Sequence, residues 1–447
     1  MNNAYYLERQ SRFESNARTY PRHLPLAIRK AEGLYVTDVD GRVYMDCLCG
    51  AGALALGHNH PAVIEAIRHH LDAQRPLQTL DLPTPEKDEF VAALLATLPD
   101  SFARRARVQF CSPCGTDAVE AALKIVKTAT GRSSIWAASG GFHGQTHGAL
   151  ALMGNHGPKQ AIGGMMPGVH FFPFPYHFRC PMGKNPCLEC HCSDSLANML
   201  ADPESGMLRP AGFITEVIQG EGGAVPANEE WLKQVRRLTS EEGVPLIFDE
   251  VQTGWGRTGR MYAFEHFGIV PDVLILSKAI GGGLPLAVVV YDEKLDVWKP
   301  GAHSGTFRGN QLAMAAGAAT LEFIIKHKIA AHVMAMCERF LKQLGHLRSQ
   351  YAFVGDVRGK GLMLGLEVVD HERCDLMNRP IGSGELAREI QVECLKRGLI
   401  VELGGRRGAV VRLLPPLIID TGQVDAICDV VAKACEAVAR RHGMNHV

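Results

Sequence analysis

The stretch VLILSKAIGGGLP, residues 273–285, decides how this chain is read. Val273, Leu274, Ile275 and Leu276 form a short, continuously apolar run, the kind that fills a strand buried on both faces. Lys278 falls where that strand ends. Gly281, Gly282 and Gly283 follow at once and let the backbone turn steeply and approach something closely. A lysine in this place has two readings. One is a solvated surface amine at a strand end. The other is a Schiff-base lysine, which needs a dry pocket and a fixed reach.

The same texture extends in both directions. Apolar runs recur at RVQFCS, SSIWAAS, GFITEVI and PLIFDE, between helical patterns such as PAVIEAIRHHLDAQ and TDAVEAALKIVKTATG, the latter ending at Gly131. Strands alternating with helices from about residue 61 to 325 predict an α/β fold with a mostly parallel, doubly wound sheet. Ligands of such sheets gather at the carboxyl ends of the strands. A Pro-, Cys- and Gly-rich excursion, roughly 157–195, interrupts the alternation. Residues 31–46 (AEGLYVTDVDGRVYMD) alternate around Asp40-Gly41 and predict a hairpin. Beyond about residue 326, a long helix (IIKHKIAAHVMAMCERFLKQL) and strands at GLMLGLEVV and AVVRLLPPLII read as a smaller α+β domain. The expected division is an N-terminal segment, 1–60, packing with a small domain, 326–447, and a large domain, 61–325, between them.

Composition bounds the partners. The 447 residues are 46% apolar and 21% charged, enough for a sizeable core. The formal net charge is zero, which argues against nucleic acid or an anionic membrane as the main partner. MNNAYYLERQ lacks the apolar core of a signal peptide. No run approaches the roughly 20 apolar residues of a membrane span. Thirteen scattered cysteines without an export signal read as reduced thiols of a cytoplasmic protein.

Three strand ends carry polar residues able to converge. CGTDAVEAALKIV, 114–126, opens a helix at Gly115-Thr116, with Thr116 placed to cap it. Free N–H groups at a helix start, beside a glycine, make a phosphate site; an ordinary capped helix is the other reading. In PLIFDEVQTGWGRTG, 245–259, Asp249 follows an apolar strand, so its carboxylate has to be paired, exposed or tuned. A pyridinium nitrogen is a fitting partner, since the negative charge keeps it protonated and the ring an electron sink. A cap on the next segment is the alternative. Gln252 stands three residues on, in place to donate to a phenolate oxygen. Lys278 comes twenty-nine residues after Asp249, about one strand–helix–strand unit. Phosphate site, pyridinium partner and imine lysine, in this order, describe a site for pyridoxal 5'-phosphate.

The chain resembles the class III, or ω-amino, transaminases of fold type I from about residue 20 to 430. LIFDEVQTGWGRTG, PDVLILSKAIGGGLPLAVVV and GTFRGNQLAMAAG carry the resemblance. It implies that Lys278 joins the cofactor aldehyde and moves the proton between the two carbons. Asp249 then pairs the ring nitrogen and Gln252 approaches the ring oxygen. Gly115 and Thr116 hold the phosphate, and Phe142 of GGFHGQTHG stacks on the ring with His143 beside it. Thr306 reaches the phosphate of the neighbouring subunit, which implies a homodimer with shared active sites.

Substrate positions follow from the same resemblance. Arg412 grips the α-carboxylate of glutamate or 2-oxoglutarate. Glu221 of EVIQGEGG neutralises it when a substrate presents its distal amine. A structural ion pair is the other reading of Arg412. Glu216 is placed with the substrate residues, with a structural part or a contact near the cofactor as alternatives. Within the family, FESNARTYPRHLPLAIRKAEG, DCLCGAGALALGHNHP and LQTLDLPTPEKDEF look most like the transaminases of 2,4-diaminobutyrate. That likeness implies transfer of glutamate's amine to aspartate 4-semialdehyde, with 4-aminobutyrate or ornithine as alternative substrates.

Two places depart from the family pattern. SPCGTDA carries Cys114 where serine is frequent, and a thiol is the poorer hydrogen-bond donor. RCPMGKNPCLECHC brings Cys180, Cys187, Cys190, His191 and Cys192 together with spacing that resembles a metal site. It lacks the paired C-x2-C form, and the transaminase reading needs no metal, so incidental thiols in a loop are the expectation.

Overall fold

Seven short runs from the middle of the chain form one sheet in the computed structural model, which describes residues 1–183 and 192–444. They are β1 (Ala106–Phe110), β2 (Ile135–Ala138), β3 (Val169–Phe172), β4 (Gly212–Thr215), β5 (Leu246–Asp249), β6 (Val273–Leu276) and β7 (Val288–Asp292). Their order across the sheet is β1-β7-β6-β5-β4-β2-β3. Strand β7 is antiparallel to β6 and β1, and the other pairs are parallel. Every residue of β2, β4, β5, β6 and β7 is buried. Burial on both faces is why these strands read as continuous apolar runs rather than alternating ones. Helix α1 (Gly115–Thr130) buries Ala118, Val119, Ala122, Ile125 and Val126 in the same core as Ile214, Ile247 and Ile275. It ends at Gly131, whose φ of +68° closes it as expected.

The chain divides into two compact units, Ala62–Ala331 and Met1–Pro61 with His332–Val447. The seven-stranded sheet belongs to the first. In the second, Tyr35–Asp38 pairs with Val43–Asp46 across a turn at Gly41, giving the predicted hairpin. Ile28–Glu32 extends it on one side and Leu399–Ile400 on the other, so residues from both chain ends share a sheet. A second sheet there runs Val354–Lys360, Met363–Cys374, Val410–Leu413 and Glu402–Gly404, with Pro380–Gly382 beside Met363–Cys374.

Two expectations change. The excursion at 157–195 is not an interruption alone: it supplies β3, a partly exposed edge strand too short and mixed to read as one. The long helix expected from residue 324 is two, Gln311–Lys326 and Ile329–Gln350, because Lys328 takes a left-handed φ of +51°. No glycine or proline marks that break in the sequence.

Candidate active site

Sheet register assembles the site. Asp249 ends β5 opposite Ile275 of β6, and Lys278 follows three residues later on that neighbour. β1 runs into Cys111–Cys114 and the start of α1, β2 into Ser139–His143, and β4 into Glu216. Because β1, β2, β4, β5 and β6 share one direction, all five segments leave at the same carboxyl edge.

Asp249 is the centre of the dry part. Its Oδ2 lies 2.8 Å from His143 Nδ1, with the two side chains 5% and 0% exposed. Its Oδ1 accepts the Val251 N–H at 3.0 Å. A buried carboxylate so held needs no further capping partner, and it sits at the strand mouth. Glu216 lies beside this pair. One oxygen accepts the Phe142 N–H at 2.9 Å and the other the Gly220 N–H at 2.8 Å. Burial pushes its carboxyl up to about 7; the nearby His143 opposes that shift and Asp249 adds to it. Glu216 therefore ties the Phe142 loop to the turn that carries Glu221, with both carboxyl oxygens engaged. That turn joins Ile218–Gln219 to Val225–Pro226. Phe142, Glu221, Gln252 and Lys278 are all partly exposed.

Lys278 has φ +54°, a backbone region that only a surrounding structure can hold for a lysine. Ser277, beneath it, donates to the Leu286 carbonyl at 2.8 Å. One of the glycines that follow has a protein neighbour that requires it. A Cβ on Gly282 would lie 2.7 Å from the Ala316 carbonyl, and one on Gly317 would lie 2.0 Å from the Ile280 carbonyl. Gly282 therefore seats the turn after Lys278 against helix Gln311–Lys326.

The other part of the edge is open. Cys114, not Thr116, is the N-cap of α1, and its side chain makes no capping bond. Thr116 lies one residue inside the helix, its Oγ1 2.8 Å from Thr146 Oγ1. Glu120 in turn accepts from Thr146 Oγ1 and from the Gly148 and Ala149 N–H groups. A Cβ on Gly115 would press on both Val251 methyls at 3.0 Å, so the helix start sits against the segment that follows Asp249. The uncapped first turn of a sixteen-residue helix is a donor set for a phosphate.

These residues fit pyridoxal phosphate. A helix start lacking a side-chain acceptor suits its phosphate, a buried carboxylate suits its ring nitrogen, and an amine on the adjacent strand suits its aldehyde. Thr306 is exposed, on the turn Thr306–Gly309, and lines a cavity of about 870 Å³ with Lys87, Phe110, His303 and Arg308.

Arg412 lies in the other unit, within strand Val410–Leu413. It is 1% exposed and pairs with Glu402 at 3.0 Å across the sheet. Cys180 and Cys192 are buried, and Cys187, Cys190 and His191 lie outside the described residues. Sequence reasoning missed Glu250. It accepts the Ala263 and Phe264 N–H groups at 2.7 and 2.9 Å, and burial pushes it up to about 7. Its signal was a second carboxylate directly after Asp249. The network of Thr116, Thr146 and Glu120 had no comparable signal.

Comparison with known proteins agrees with this geometry. Residues 16–435 match the Aminotransferase class-III family. A diaminobutyrate–2-oxoglutarate aminotransferase of Rhizobium meliloti is 54% identical, covering 98% of this chain and 94% of that protein. One of the same name from Haemophilus influenzae is 48% identical, covering 92% and 90%. The crystal structure of a PLP-bound amine transaminase from an uncultivated Pseudomonas species superposes with a TM-score of 0.83. The two are 29% identical, over 96% of this chain and 98% of that one.

Proposed function

The chain belongs to the class-III aminotransferases, which depend on pyridoxal phosphate, and we propose that its own reaction moves the amine of L-glutamate to L-aspartate 4-semialdehyde. The products are L-2,4-diaminobutyrate and 2-oxoglutarate, formed reversibly in two half-reactions. The observation that carries this reading is the 54% identity, over nearly the full chain, to a relative named for that pair of substrates.

Bound pyridoxal phosphate supplies an aldehyde that takes up the amine and a ring that accepts electron density. Lys278 would hold the aldehyde end, and its Nζ would carry the proton that the transamination moves. Asp249, kept in place by His143, holds a proton on the ring nitrogen. Gln252 donates to the ring oxygen. The N–H groups at the start of α1, at Gly115 and Thr116, bind the phosphate. Phe142 covers a ring face and excludes water, and Glu216 positions its backbone. Arg412 binds the α-carboxylate of glutamate or 2-oxoglutarate, and Glu221 offsets its charge when a distal amine is presented. The exposure of Thr306 supports its reaching the phosphate of a second copy, in a cytoplasmic homodimer. Among the described residues no helix is long and apolar enough to cross a membrane.

Absorbance of the purified protein tests the reading. The visible cofactor band is expected to bleach with L-2,4-diaminobutyrate and to persist with 4-aminobutyrate. Bleaching with 4-aminobutyrate alone would move the assignment to that substrate. Arg412→Ala is expected to weaken glutamate far more than the diamine; equal losses would remove the switch between the two substrates.

A further inference from the structure

Cys111-Ser112-Pro113-Cys114 joins β1 to the helix start that serves as the phosphate cradle. Cys111 is 1% exposed, whereas Cys114 is exposed at the N-cap of α1. The chain bends through 112–114, and the Cys114 N–H returns to the Ser112 carbonyl at 2.7 Å. The pair thus has an outer thiol that a small oxidant reaches and an inner one, two residues removed, that it does not. A third observation concerns the inner thiol. One donor atom each from Cys111, Asp117 and His303 lies within 4.8 Å of the others. His303 Nε2 is 3.3 Å from Asp117 Oδ2, and Asp117 also accepts the Ser112 N–H at 2.6 Å. Burial pushes the Cys111 thiol well above its ordinary range, with the Asp117 carboxylate adding to the shift, so Cys111 is the slower thiol and Cys114 the one that meets an oxidant first. Lys124 Nζ, 3.4 Å from His303 Nδ1, and the Arg308 guanidinium near Cys111 bring positive charge to the cluster, which disfavours a bound cation there.

We propose that Cys111 and Cys114 form a reversible disulfide that controls whether the phosphate cradle can hold its cofactor. The inference rests on the pyridoxal phosphate reading of that cradle. The oxidant is a low-molecular-weight disulfide, RSSR. Cys114 thiolate attacks one of its sulfurs, the S–S bond breaks, and RS⁻ leaves. Cys111 Sγ attacks Cys114 Sγ, and its proton goes to the departing RS⁻. The Cys111–Cys114 bond forms as the second RS⁻ leaves. The protein dithiol loses two electrons and RSSR becomes two thiols. Closing this bond draws the N-cap toward β1 and turns the first N–H groups of α1 away from the phosphate. Bound cofactor covers the same turn, so it slows the oxidation.

The test treats full-length protein, with and without pyridoxal phosphate, with oxidised glutathione. Peptide mass analysis is expected to show a Cys111–Cys114 disulfide, about 2 Da lighter than the dithiol, formed faster without cofactor. The oxidised protein is expected to bind pyridoxal phosphate roughly tenfold or more weakly by fluorescence titration. Dithiothreitol restores the affinity, and Cys114→Ser, which keeps a small polar N-cap, shows no loss on oxidation. Cys111→Ser is a second route to the same insensitivity. Absence of that disulfide, or a disulfide that leaves cofactor affinity unchanged, overturns the proposal. Reduced protein that binds no pyridoxal phosphate would instead overturn the cofactor reading, while the disulfide measurement would stand.

Discussion

Two stretches of one sheet edge behave differently. Around Asp249, His143 and Glu216 the side chains are buried, at 4%, 3% and 5% exposure, and both carboxylates and His143 Nδ1 are bonded to fixed neighbours. Around Cys114, Thr116 and Thr146 the groups are exposed or half-exposed and the helix start has no side-chain cap. The difference follows from what each part must hold. A charge facing a ring nitrogen is strong only where water is excluded and the dipoles are already set. A phosphate is bound by several backbone donors and tolerates water beside it. On the proposed reading, the dry half governs how fast the chemistry runs and the open half how tightly the cofactor stays.

Substitutions can break that division. Lys278→Ala removes both the amine and the proton carrier, and is expected to cut turnover by about 10³-fold or more while some cofactor stays bound. Stopped-flow measurement of one half-reaction checks it; near-normal turnover would end the lysine assignment. Asp249→Asn keeps the shape of the dry half but removes its charge. Turnover should fall on the order of 10²-fold, with cofactor affinity changed much less. A loss confined to affinity would erase the contrast between the halves.

Smaller effects sharpen it. Glu216 and Glu250 both hold their proton to about pH 7 when folded, against an ordinary value of 4.5. Between those values the folded state binds protons that the unfolded state has released. The stability from these groups is therefore full below about pH 4.5 and declines as pH rises toward 7. Melting temperatures of the wild type should show that decline. Glu216→Gln should lower stability by about 1–3 kcal/mol, because one backbone N–H loses its acceptor, and should flatten only its own share of the slope. An unchanged slope would mean that Glu216 ionises normally. On the open side, Thr116→Val should weaken cofactor binding by about 1 kcal/mol and leave turnover at saturation nearly intact. A turnover defect there would show that the halves are not separable.

The strands at 246–249 and 273–276 were legible because burial on both faces leaves a short continuous run of apolar residues. Asp249 and Lys278 were legible because a polar residue ending such a run is conspicuous. β3 was not, since an edge strand need not be apolar on both sides. The break at Lys328 left no mark either, because backbone geometry was imposed on an ordinary side chain. Thr116 was misread as the cap by two residues, a shift that only the helix geometry resolves.

The order of chemistry along the chain, with helix start, carboxylate and lysine each following its own strand, is a property of the sequence alone. It determined the fold class, because periodicity and strand-end residues are local, while the family came through the resemblance of whole motifs such as LIFDEVQTGWGRTG. What each polar group touches was decided only in three dimensions. His143 and Asp249 meet across 106 positions, Phe142 and Glu216 across 74, and Gly282 rests on Ala316. Such contacts depend on sheet order and register, which one chain's local pattern does not encode.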